Sequence, residues 1–233
     1  MSGMASGQCK ALAFAIVASA SVAACAAGNR TATSDGGRIL TYTRANSDGS
    51  EAETVRVFRA SSTRIEVIKT RQRCTSAAFV SAELDPSSGD AVRLTGGRLL
   101  PNSRHSEEAW LVLADGQRLD MHVGDRDAAP VASIPIMVRP WHLFDFDLAT
   151  LAAAPPRGAR AGQDFSFGLA LSLVQDDGLD LRWLGPVEAR FAGTERLAGH
   201  RVHRFAVSGP GLPGRQGGTL WTDTRDGYIV RAA

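Results

Sequence analysis

The chain is expected to be mainly β, at the margin of α+β: a curved antiparallel sheet or half-barrel crossed by one short helix. Three observations predict this. From residue 38 onward apolar and polar residues alternate with period two in short segments, the signature of half-buried strands. Turn residues separate those segments at short intervals. A single stretch, residues 124–162, breaks the rhythm, and prolines bound it.

Ile39, Leu40, Thr41, Tyr42 and Thr43 open the first strand. Segments 54–58 and 64–68 follow, and Ala60, Ser61 and Ser62 between them predict a hairpin. Segments 78–84 and 91–95 flank Asp85-Pro86-Ser87-Ser88-Gly89, where Pro and Gly set turn dihedrals and Asp bonds its own backbone. Segments 110–114 and 117–123 flank Asp115-Gly116, a two-residue hairpin signal. That gives six or seven strands before residue 124.

Within the proline-bounded stretch, residues 141–154 are expected to hold the helix. Phe144, Leu148 and Leu151 share one helical face there, Asp145 and Asp147 suit its N-terminal turn, and Pro155 and Pro156 stop it. Strands then resume at 164–174, with Phe165, Phe167, Leu169, Leu171 and Leu173 on one side and small residues on the other. Segments 179–184, 187–195, 201–207, 219–222 and 228–231 complete the pattern. No interval has the composition of a domain linker, so residues 38–233 read as one domain.

Composition fits an ordinary globular chain: 233 residues, 44% hydrophobic and 21% charged. A formal net charge of +2 lacks the basic excess of nucleic-acid binding, so no nucleic-acid partner is expected.

Lys10 precedes an uncharged, alanine-rich run over residues 11–27, which reads as a secretory leader. Residues 28–37 would then be a flexible tether. Two processing routes remain open. Val22-Ala23-Ala24-Cys25 resembles the bacterial lipoprotein signal, in which the cysteine is acylated and becomes the N-terminus; Cys25 is then the lipid-attachment residue and the membrane anchor. Cleavage after a small-x-small triplet is the other route. Ala26 after Cys25, in place of Asp, favours the outer membrane by resemblance to that class. The expected location is the periplasm, tethered to the outer membrane. Cys74 reads as a lone thiol.

No chemistry-bearing motif stands out. His200 and His203 are three apart, which puts them on opposite faces of a strand, whereas a shared metal wants spacing two. Asp176-Asp177 and Asp223 with Asp226 lie on turn signals. No nucleophile elbow, phosphate loop or dinucleotide fingerprint is present. The chain is therefore expected to be no enzyme, with no catalytic residue, no metal and no cofactor.

What does stand out is an apolar strand face beside an aromatic segment. A curled sheet covered on one side can enclose an apolar cavity. Its floor would be Phe165, Phe167, Leu169 and Leu171, its lid Trp141, Phe144 and Leu148. The same residues would equally form a filled core.

The order of leader, strands, helical crossing and further strands resembles the periplasmic lipoprotein-carrier and lipoprotein-receptor proteins of the Lol pathway. The resemblance is architectural, covers most of the chain after the leader and rests on no motif. It departs from that family in having no helix before the first strand and only one in the middle. It implies a half-barrel and a lipid or acyl-chain ligand, and transfers no binding residue. Two functions follow as expectations: an exported binding protein for a hydrophobic ligand, or a packed envelope-assembly lipoprotein whose partner is another envelope protein.

Overall fold

The computed structural model describes residues 14–18, 37–46, 48–71, 77–100, 104–125, 127–144, 156–175, 178–212 and 217–233. Among the described residues fifteen strands form one sheet: β1 (Phe14–Ala18), β2 (Arg38–Asn46), β3 (Glu53–Arg59), β4 (Arg64–Arg71), β5 (Ala77–Leu84), β6 (Ala91–Leu99), β7 (His105–Ala114), β8 (Arg118–Val123), β9 (Ala132–Pro135), β10 (Trp141–Leu143), β11 (Phe165–Gln175), β12 (Gly178–Leu197), β13 (His200–Ser208), β14 (Gly218–Asp223) and β15 (Ile229–Ala232). A helix of five residues, α1 (Arg157–Ala161), accompanies them. The order across the sheet runs β10 to β15, then β1, then β2 to β9. Neighbours pair antiparallel except β10 with β11.

The sheet is curled. Its two edge strands, β9 and β10, are consecutive in sequence and joined by residues 136–140 alone, and β9 lies against β12. Both edges are short, four and three residues, which limits the unpaired backbone they offer to other chains. The inner face is apolar because the period-two pattern puts alternate side chains there. The main core cluster runs from Tyr42 and Val55 through Leu111 and Phe167 to Phe205 and Ile229, and a second, small one is formed by Val202, Tyr228 and Val230. From residue 38 to residue 124 the described residues form seven strands, β2–β8, as the alternation predicts. At the β7–β8 hairpin Asp115 and Gly116 both take positive φ, 51° and 65°, the conformation that makes Asp-Gly a hairpin signal.

Three features depart from the sequence-based expectations. Residues 141–143 are strand, not the start of a helix: Trp141, His142 and Leu143 pair in parallel with Gly168, Leu169 and Ala170, and all three are buried. A short apolar run does not distinguish helix from strand by period alone, and here the open edge of β11 supplies backbone partners. The rest of the expected helix, with Asp145, Asp147, Leu148 and Leu151, lies outside the described residues, as do Cys25 and Cys74. The observed helix comes after the prolines. Pro156 is the N-cap of α1, and Gly162 ends it in the left-handed conformation, φ 65°.

Segments 179–184 and 187–195 are parts of one strand, β12, twenty residues long. Gly185-Pro186 is not a break between them. The register with β11 steps from Leu169↔Gly185 to Ala170↔Trp183, so Leu184 is the extra residue of a bulge. A second bulge, at Ala192, offsets β12 from β13.

The sheet also takes in part of the segment that the sequence reads as a leader. β1 lies between β15 and β2, antiparallel to both, with Ile16 opposite Arg44 and Ala232, and Val17 opposite Thr43 and Arg231. β2 and β15 therefore run parallel to each other at the offset of 188 residues that also relates Arg38 to Asp226. Side chains bridge them there: Tyr42 donates its hydroxyl to the Ile229 carbonyl at 2.9 Å, and Arg38 pairs with Asp226 at 2.5 Å. The Arg38 guanidinium also lies 4.2 Å from the Tyr228 ring centroid.

Candidate functional site

The apolar residues singled out from the sequence converge where residues 136–144 cross the curled sheet. Trp141, Phe167 and Leu169 are 1%, 4% and 2% exposed and belong to the core. Phe144 and Phe165 are half-buried against it, and the Phe144 amide donates to the Ala170 carbonyl at 2.8 Å. Leu171 is half-buried while its neighbours Ala170 and Ser172 are buried, and Ser172 approaches the Met121 sulfur at 3.9 Å. The inward side of β11 thus shifts from odd to even residues beside the Leu184 bulge, a change that strict alternation does not anticipate. Leu148 is outside the described residues.

Gly168 lets the crossing approach this closely. Its amide donates to the Pro140 carbonyl at 2.8 Å, and a Cβ there would stand on the Trp183 ring and 2.6 Å from the Val138 carbonyl oxygen.

Polar groups hold the crossing at its middle. Asp90, at the end of the β5–β6 turn, is 2% exposed. Its carboxylate pairs with the Arg139 guanidinium and accepts the Trp141 amide at 3.2 Å. Arg139 also donates to the Gly116 carbonyl. A buried carboxylate with both a cation and an N–H is compensated; removing it leaves donors without partners. Asp90→Ala is expected to destabilise the fold by about 3 kcal/mol, read as the midpoint shift in urea unfolding. An unchanged midpoint would show that the crossing is held by apolar packing alone.

Two polar side chains penetrate this apolar region. The Trp141 indole nitrogen is buried and has no hydrogen-bond partner among the described residues, although an indole N–H normally finds an acceptor when buried. The His142 ring packs edge-on against Phe167 at 5.3 Å, and burial pulls its pKa down from 6.5 to about 3, so it is held neutral.

A second polar grouping joins residues that sequence spacing does not connect. His200 Nδ1 lies 3.3 Å from Asp223 Oδ2 and 3.2 Å from the Tyr228 hydroxyl. Burial, then the Asp223 charge, pushes the Tyr228 phenol up. Asp223 also accepts the Arg225 and Asp226 amides, the turn role expected of it. His203 meets other neighbours, Thr194 and Phe191, so the two histidines do not share a ligand site. Among the described residues no three His, Cys, Asp or Glu side chains assemble as a metal would require.

A surface groove of about 340 Å³ lies elsewhere, lined by Asp115, Gln117, Arg118, Ser133, Ile134 and Pro135. Asp120 beside it accepts Arg118 at 2.8 Å and Ser133 at 2.7 Å, which ties β9 to β8 and holds the Asp120 carboxyl below the usual range.

No helix among the described residues is long and apolar enough to cross a membrane. Comparison of the chain with protein-family models, with curated proteins and with solved structures finds no match.

Proposed function

We propose that the chain is an exported envelope protein, anchored to the outer membrane through an acylated Cys25, that holds an acyl chain or another apolar ligand against the inner face of its curled sheet. It acts by binding, without catalysis. The observation that carries the reading is the buried Trp141 indole N–H, which has no acceptor among the described residues although Trp141 belongs to the apolar core cluster. A buried donor without a partner costs about 1–3 kcal/mol, and a ligand with an apolar tail and a carbonyl or carboxylate oxygen would remove that cost. The crossing at residues 136–144 would have to lift to admit it, which is why its polar fastening at Asp90 matters.

A second reading is favoured by a different observation. Trp141, Phe167 and Leu169 are sealed within the main core cluster, as in a packed envelope-assembly lipoprotein that acts through a protein partner.

Native mass spectrometry of the protein purified in mild detergent from a bacterial envelope, followed by denaturing mass analysis, separates the two. A covalent mass starting at diacylated or triacylated Cys25, with an additional lipid lost on denaturation, is expected for the carrier. The anchored mass with no additional lipid would favour the packed module, and a chain without acylation would remove the anchor from both.

A further inference from the structure

The seam between β2 and β15 is filled by a strand from the chain's apolar N-terminal run. Its two walls are parallel strands related by one constant offset, and the strand between them, β1, belongs to the segment read as a leader. Processing at Cys25 removes residues 1–24 and with them β1. The walls do not thereby meet. Tyr42 spans to the Ile229 carbonyl and Arg38 to Asp226, so side chains bridge the gap where no backbone ladder joins β2 to β15. Backbone N–H and C=O groups of residues 42–46 and 231–232 that faced β1 would then be unpaired along two facing edges. The sheet keeps its natural edges to four and three residues, so this opening would be its most adhesive backbone.

We propose that the seam is a strand-acceptor site, filled by the chain's own Phe14–Ala18 before processing and afterwards by an extended, uncharged apolar segment of a partner protein. The leader strand is the template for the occupant: five residues, no charge, antiparallel to both walls. Pairing on two sides adds the two residue pairs with β15 to the five with β2, more backbone ladder than addition to a single edge gives. A processed second copy has lost the same segment and does not carry this donor. The proposal rests on the leader reading and is independent of the apolar ligand.

The test uses the full-length gene expressed in a bacterium. The processed protein is purified from the envelope and its N-terminus fixed by mass, and the unprocessed chain is purified from cytoplasm. The probe is a fluorescent synthetic peptide of residues 11–20, alongside a version N-methylated at alternate residues, which keeps the side chains and loses ladder donors. Expected are saturable binding to the processed protein, at least about tenfold weaker binding of the N-methylated peptide, and no binding to the unprocessed chain. Hydrogen exchange at residues 42–46 and 231–232 should slow when the peptide binds, and an acyl ligand should not displace it. Equal affinity of the two peptides, or equal binding to both protein forms, would overturn the site. So would slow exchange at those residues in the processed protein without peptide, since the seam would then have closed on itself. Dimerisation of the processed protein that the peptide reverses would assign the seam to a second copy and overturn the partner. A purified envelope protein that retains residues 1–24 would overturn the premise, whatever its ligand content.

Discussion

Phe167→Asp is expected to leave the protein without a stable fold. Phe167 is 4% exposed, faces Val187 across the β11–β12 ladder and packs against His142 and Phe165. Truncating such an aromatic side chain costs about 3–5 kcal/mol, and an unpaired carboxylate in its place adds several more. Together these rival the whole stability of a typical domain, about 5–15 kcal/mol. Circular dichroism melts and soluble yield read the effect, with Phe167→Leu as a milder comparison. A Phe167→Asp protein that melts cooperatively at the wild-type temperature would show that this face of β11 is not the interior.

The second large effect is a loss of stability on mild acidification, carried by His142. Its pKa falls from 6.5 to about 3 on folding because burial penalises the charged ring. Between those values the unfolded chain binds a proton that the folded chain refuses, so stability rises with pH through this window. It is complete above about pH 6.5 and falls by about 1.4 kcal/mol per pH unit below that, until the folded ring protonates near pH 3. At pH 4 the expected loss is about 3 kcal/mol. Aspartates whose carboxyls the fold holds low, such as Asp85 and Asp120, withdraw stability only below their ordinary value of 3.8, so the interval from pH 6.5 to 4 separates the two effects. Urea unfolding at a series of pH values measures the slope, and His142→Leu should flatten it. An equal slope in that variant would assign the acid sensitivity elsewhere. His142 and Phe167 touch, so their variants are not expected to be additive.

The strands were legible because alternation and turn chemistry are local. The β5–β6 turn at Asp85 and the β7–β8 turn at Asp115-Gly116 form where their residues predict. What escaped depends on distant partners. Gly185-Pro186 reads locally as an interruption, yet two flanking strands carry β12 through it with a single bulge. Residues 141–143 have the composition of either helix or strand, and the edge of β11, more than twenty residues later, decides. The apolar run that reads as a leader is equally able to pair, and part of it does so as β1.

The candidate site was half legible. Trp141, Phe144, Phe165, Phe167 and Leu169 do gather around one crossing. Asp90 was hidden because an Asp ending a turn has a local role to explain it, whereas its bonds reach Arg139 and Trp141, 49 and 51 residues away. His200, Asp223 and Tyr228 meet only through the pairing of three strand ends. Their signal in the sequence is no stronger than that of any turn.

The strand order has a consequence for how the chain acquires its shape. From β2 to β9, and again from β11 to β15, consecutive strands pair antiparallel, so each arm grows hairpin by hairpin, and only β10 joins in parallel, across residues 144–164. Among the described residues the strand pairing most distant in sequence is that of β15 with β1. All-β topologies fold slowly when their pairings are distant in sequence; here nearly all are near neighbours. Each arm can therefore zip up from pairings near in sequence, which leaves the junction of β15 with β1 as the distant one.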